Sequence, residues 1–176
     1  MRFPSGSGRS AIVEATAAAA VVAVLAGCYS FSGGGGFPSE VRTIYIAPFE
    51  NQTVQFDLEQ QVFRRLTEAL PRALGLRAAG EQNADAIVRG RIVRYEDAAQ
   101  SYRPGQQGAV QDVLHQVSIV VAIEFLDVRR NLILWESQGV TGRGEYRPDS
   151  QSDEVARTKA LDALVQQIID GAQSQW

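Results

Sequence analysis

The chain has 176 residues, of which 45% are hydrophobic, 21% charged and 8% aromatic, and its formal net charge is -3. Those proportions suit one globular domain and exclude a chain dominated by disorder, and the acidic balance offers no basic field for nucleic acid. A single Cys and a single His exclude a disulfide framework or a zinc site of clustered Cys and His and leave little for Cys–His or Ser–His–Asp catalysis. The expectation is a binding or structural module with no catalytic residue, metal or diffusible cofactor.

Residues 1–27 read as a secretory signal peptide. Arg2 and Arg9 supply the cationic start, and Ala15 to Ala26 form an apolar run that ends in small residues. That run is shorter than the about 20 residues a bilayer span takes. Leu25-Ala26-Gly27-Cys28 has the form of a bacterial lipobox, in which small residues precede the cleaved bond and the thiol behind it takes a diacylglycerol. Cys28, the only cysteine, is therefore the expected lipid-attachment residue, carrying a diacylglycerol and an N-acyl chain. Buried methylenes contribute about 0.8 kcal/mol each, so several chains on one residue anchor it durably. Tyr29 follows instead of Asp, which by resemblance to enterobacterial sorting favours the outer membrane. Residues 28–40, with Gly33 to Gly36, read as a tether, and residues 41–176 as a single domain. The Gly run lacks the flanking strand and helix of a phosphate-cradling loop.

Within the domain, Arg42 to Phe49 is β-branched and aromatic on both faces, the pattern of a central strand, and Pro48 ends it. Asp57 to Leu74 carries Leu58, Val62, Leu66, Ala69 and Leu70 at helical spacing. Asp57 with Gln60 reads as its capping pair, and Pro71 as its kink or end. Ala86 to Tyr95 is a second strand, and Glu96 to Asp112 a long Gln/Gly/Pro loop. In Val113 to Asp127 the odd positions Val113, Val117, Ile119, Val121, Ile123 and Phe125 are apolar, a half-buried strand of period two. A tight connection at residues 128–131 leads into a strand over Leu132 to Gly142. Asp149 to Ser152 offers caps for a last helix, Asp153 to Ala172, with Leu161, Leu164, Val165, Ile168 and Ile169 on one face. The expected fold is α+β in the order β-α-β-β-β-α, a four-stranded mixed sheet with two helices packed on one face and the other face open. A right-handed crossover makes the first two strands parallel.

The segment Tyr29-Ser30-Phe31, the Gly run, and Phe37 to Thr53 (F-P-S-E-V-R-T-I-Y-I-A-P-F-E-N-Q-T) resemble the LPS-assembly lipoprotein family, LptE. Ala84-Asp85-Ala86 with Gly90, and Leu134-Trp135-Glu136, look like the same family. Two departures stand out: Tyr29 follows Cys28 without an intervening Gly, and Pro71 interrupts a helix that members continue. The resemblance implies a non-enzymatic outer-membrane lipoprotein on the periplasmic side. It would plug and help assemble the β-barrel of the lipopolysaccharide translocon, and assist delivery of lipopolysaccharide to the outer leaflet. The Pro-Phe-Glu-Asn turn is also similar to that of curli-secretion lipoproteins and of lipoprotein activators of penicillin-binding proteins, which stand as the alternative.

Several residues are candidates for contact. Arg129 and Arg130 form a paired cationic tip suited to phosphate, hence to lipopolysaccharide. If the turn keeps strand parity, Val120, Leu126, Ile133 and Trp135 share the open face as an apolar patch for the barrel partner, and Leu132 and Leu134 lie under the helices. His115 reads as a hydrogen-bonded strand-end residue, Glu124 and Glu136 as two charges on the sheet surface, and Glu50 and Asn51 as turn residues leading into the first helix.

Overall fold

The computed structural model describes residues 38–102 and 113–174; the expected signal peptide, Cys28, the Gly run and Arg103 lie outside them. The elements run β1 (Thr43–Ile46), β2 (Glu50–Asn51), α1 (Leu58–Ala73), β3 (Arg77–Ala78), a 3-10 turn (Glu81–Asn83), β4 (Ala86–Tyr102), β5 (Val113–Asp127), β6 (Leu132–Tyr146) and α2 (Asp153–Gln173). They build one mixed sheet in the order β3-β1-β4-β5-β6, with β2 also paired to β4. β1 and β2 run parallel to β4, and β4, β5 and β6 are antiparallel.

The α+β class, the two helices and the parallel first crossover agree with the sequence reading, but the sheet has six strands instead of four. The two additions, β2 and β3, are two residues each, too short to leave a period in the sequence. Pro48 explains the first. Without an N–H it interrupts the ladder, so the expected strand over Arg42 to Phe49 stops at Ile46 and pairing with β4 resumes at Glu50. The chain bridges the gap through the N–H of Ala47 on the Val88 carbonyl at 2.9 Å.

Four other expectations are corrected or sharpened. β4 continues through Tyr102, so the first part of the expected loop over Glu96 to Asp112 is strand. Those polar residues pair with β5 from Glu96↔Ser118 to Tyr102↔Val113. β6 likewise runs on to Tyr146. Pro71 lies inside α1, in its last turn, and the helix ends at Ala73 before Gly75, which has φ +67. At the other end of α1, Asp57 takes a left-handed conformation (φ 67) and its side chain makes no capping bond. Asn51 organises the entry instead. Its amide donates to the Gln55 carbonyl (2.9 Å) and to Glu59 (2.8 Å), and its oxygen accepts from the N–H and hydroxyl of Thr53.

The core lies between the helices and one sheet face. Val117, Ile119, Val121 and Phe125 of β5 are fully buried, as the alternation requires, beneath Leu161, Leu164 and Ile168 of α2 and beside Leu58, Val62, Leu66 and Leu70 of α1. Helix α2 lies directly on β6 because Gly142 and Gly144 face it. A Cβ at Gly142 would stand 2.0 Å from the Ala160 carbonyl oxygen, and one at Gly144 2.0 Å from that of Ala156. Gly90 makes similar room for the ring of Phe49.

Candidate functional site

Three polar or exposed features stand outside the core. The first is the turn joining β5 and β6. Asp127 is buried and its Oδ1 accepts the N–H groups of Arg129 (2.9 Å) and Arg130 (3.0 Å), while Oδ2 takes Nε of Arg130 at 2.7 Å. Asp85, also buried, accepts the N–H groups of Arg42 and Thr43 and the Thr43 hydroxyl on Oδ2, and Arg129 on Oδ1 at 2.6 Å. The Arg42 N–H and the Thr43 hydroxyl lead in holding the Asp85 carboxyl below its ordinary value, against the opposing effect of burial. At Asp127 burial pushes upward, but the bonds from Arg130 outweigh it and the carboxyl is again lowered. Arg129 and Arg130 are therefore not the unengaged cationic pair that the sequence suggested. Each guanidinium already serves a buried carboxylate that the sequence reading had not singled out.

The second feature is the open sheet face. Cross-strand rows of side chains define it: Tyr45, Ile87, Leu126 and Ile133, then Arg89, Glu124 and Glu136, then Arg91 and Ala122. Glu124 and Glu136 thus stand directly opposite each other, with Arg89 facing Glu124 from the other strand. The turn keeps parity as expected, pairing Leu126 with Ile133, but Leu134 is a β-bulge and Phe125 pairs with Trp135. The bulge moves Trp135 to the helix-covered face. Its ring meets Phe125 edge-on at 5.5 Å and lies against Gly171 of α2. Trp135 therefore does not join Val120, Leu126 and Ile133, and the charged row separates Val120 from the other two. Leu134 is buried as expected, whereas Leu132, expected under the helices, is half exposed at the sheet's end, past their cover.

The third feature lies toward the loop end of the long β4–β5 hairpin. His115 Nδ1 lies 3.0 Å from Asp97 Oδ1, and the Tyr146 hydroxyl donates to Asp97 Oδ2 at 2.7 Å. His115 thus is the hydrogen-bonded strand-end residue the sequence suggested, and Asp97, hidden in the expected loop, is its partner. The bond to Asp97, then burial, push the Tyr146 phenol up to about 12, so at neutral pH it is a proton donor to a carboxylate and no nucleophile. Among the described residues no group of His, Cys, Asp and Glu could hold a metal ion, and no helix is long and apolar enough to cross a membrane.

The domain has two layers, one sheet face covered by helices and the other without them, and comparison with known proteins gives its family. The family model LptE, lipopolysaccharide-assembly, matches residues 41–172, three quarters of the chain. The chain belongs to this family of outer-membrane lipopolysaccharide-assembly lipoproteins. No curated protein matches it. Among solved structures, a neuraminyllactose-binding hemagglutinin homolog from Helicobacter pylori is similar at 11% identity and TM-score 0.50, covering 81% of this chain and 88% of that one. A hypothetical protein from Chlamydia trachomatis has 9% identity and TM-score 0.49 over 75% of this chain and 98% of its own. A minor lipoprotein from Acinetobacter baumannii has 19% identity and TM-score 0.42 over 76% and 94%. At such identities the Helicobacter likeness speaks for the fold alone.

Proposed function

We propose that the protein is anchored by acyl chains on Cys28 to the periplasmic face of the outer membrane. There it binds the β-barrel of the lipopolysaccharide translocon, seats in and helps assemble that barrel, and assists delivery of lipopolysaccharide to the outer leaflet. The family match over residues 41–172 carries the reading, and the lipobox ending at Cys28 agrees with it. The chemistry is non-covalent: the polar clusters serve the fold, and the bare face offers a surface. The candidate barrel surface is that face, with Val120 and Leu126 on either side of the Arg89–Glu124–Glu136 row; Ile133, beside Leu126 at the sheet's end, is left out of that surface. Trp135 has no part in it.

Purification of the acylated protein from outer membranes tests the reading: a large β-barrel protein should accompany it. A ring of identical copies, or a peptidoglycan synthase in the barrel's place, would overturn it. Contact of lipopolysaccharide phosphates with the outward edges of Arg129 and Arg130 belongs to the same proposal. Because both residues also serve buried carboxylates, Arg129→Asp with Arg130→Asp should weaken lipopolysaccharide binding and lower the melting temperature together. Arg129→Gln alone, which keeps a donor for Asp85, separates the two effects; unchanged binding in it and in the double variant would remove lipopolysaccharide from this turn.

A further inference from the structure

The β5–β6 turn and the point where the chain leaves for its N-terminus meet at one end of the sheet. Asp85 joins them, taking the Arg42 and Thr43 N–H groups at 3.0 and 3.1 Å on one oxygen and the Arg129 guanidinium at 2.6 Å on the other. From Pro38, ten residue steps lead back to Cys28, a span of at most about 36 Å. Three large apolar side chains stand at this end, Leu132 and Ile133 on opposite faces of β6: Val128, Leu132 and Ile133 are 43%, 50% and 48% exposed. Three N–H groups of the turn are already satisfied. The Val128 N–H donates to the Asp85 carbonyl, and those of Arg129 and Arg130 donate to the Asp127 carboxylate. Hydrogen bonds made within the protein remove much of the cost of bringing backbone to an apolar boundary.

We propose that this turn docks on the phospholipid bilayer. Val128, Leu132 and Ile133 enter the boundary between headgroups and acyl chains, and Arg129 and Arg130 lie at the level of the phosphates. Three observations favour a bilayer as the occupant. The apolar residues sit on the tip of a two-stranded turn and not in a groove, the tip lies beside Glu40 and Val41 near the start of the described chain, and the Arg129 and Arg130 side chains, though paired with Asp85 and Asp127, stay 73% and 46% exposed. Apolar side chains rimmed by arginines are the composition of segments that lie in a membrane interface, where arginine stems follow the apolar surface and the heads reach phosphate. The inference rests on acylation of Cys28, and its test is arranged so that the two can fail separately.

Cys28 is the only cysteine, so once it is acylated a second cysteine is a unique site for a nitroxide label. The full-length acylated protein carrying Val128→Cys, or Ala98→Cys on the far part of the hairpin, is reconstituted into phosphatidylethanolamine–phosphatidylglycerol vesicles. Collisions of the label with oxygen, which concentrates in hydrocarbon, are compared with collisions with a water-soluble nickel chelate. The oxygen-to-nickel ratio should be several-fold higher at 128 than at 98. Leu132→Ser with Ile133→Ser should bring the ratio at 128 down to that at 98 with the melting temperature little changed, because both residues are about half exposed. Equal ratios at the two positions, on protein that floats with the vesicles, overturn the docking and leave acylation standing. Protein that does not float overturns both. A ratio at 128 that rises only when the barrel protein is added places the turn against protein and also overturns the proposal.

Discussion

Asp85 accepts hydrogen bonds from the Arg42 and Thr43 N–H groups and the Thr43 hydroxyl, and pairs with Arg129. One carboxylate thus fixes the start of β1 to the far hairpin turn. The bonds from Arg42 and Thr43 keep its carboxyl lower in the folded chain than in the unfolded one, where an aspartate titrates near about 3.9. As pH falls, the unfolded state takes the proton first, so it binds more protons through this interval and stability declines there. The contribution is complete above about pH 5 and is lost as pH drops through about 4 and below; Asp127, lowered in the same sense, adds to the decline. Asp85→Asn should cost about 2 kcal/mol at neutral pH. Urea midpoints followed toward acid should show the gap to the unsubstituted protein narrowing; a gap that stays constant would mean that the charge contributes nothing. None of this was legible beforehand. Asp85 was visible only as part of a family-like tripeptide, because its partners lie 42 to 44 residues away along the chain.

At the scale of elements, the contact of α2 with β6 depends on the absence of side chains. A Cβ on Gly144 would meet the Ala156 carbonyl oxygen at 2.0 Å and the Ala160 nitrogen at 2.8 Å, backbone atoms that cannot rotate away. Gly144→Ala should therefore push the helix outward and cost at least about 2 kcal/mol. Gly80→Ala, where the added carbon meets nothing within 4 Å, should be almost silent in the same thermal melts, and equal losses in both would contradict this account. Trp135 belongs to the same contact. Trp135→Glu places a charge between Phe125 and Gly171 and should cost about 3 kcal/mol, measured as a large drop in melting temperature; a small shift would return the residue to the open face. The alternation of Val113 to Asp127 was enough to assign the buried face of β5, since every odd position from Val117 to Asp127 is buried and, of the even ones between them, only Ala122 is. For β6 the same logic was right at Ile133 and Leu134, put Leu132 under helices that leave it half exposed, and was wrong at Trp135. One inserted residue reverses every side chain beyond it, and a bulge leaves no mark in composition. The polar stretch from Glu96 read as loop for a related reason: beyond the cover of the helices a strand has no buried face to impose a period, and its pairing to β5 comes from the partner strand.

For the whole molecule, the family was legible because its motifs, such as Pro48-Phe49-Glu50-Asn51, are contiguous residues, and the anchor proposed at Cys28 rests on another contiguous motif, the lipobox. The surfaces were not, because each is assembled from several strands. The reading of the whole predicts what loss of the anchor does. Docking of the β5–β6 turn by itself would bury only parts of Val128, Leu132 and Ile133, at about 25 cal/mol per Å² of apolar surface, whereas acyl chains add about 0.8 kcal/mol for every buried methylene. The turn can orient the domain on a membrane but cannot hold it there. Cys28→Ala should consequently leave a precursor without the added lipid mass, absent from washed outer membranes and with little barrel protein accompanying it. Its domain should melt as before, because among the described residues the buried core begins at Val41. Intact-mass measurement and membrane fractionation decide the matter. A Cys28→Ala protein that still carries lipid would end the lipobox reading. A lipid-free protein that stays on outer membranes together with the barrel would show that the partner, and not the acyl chains, provides the attachment.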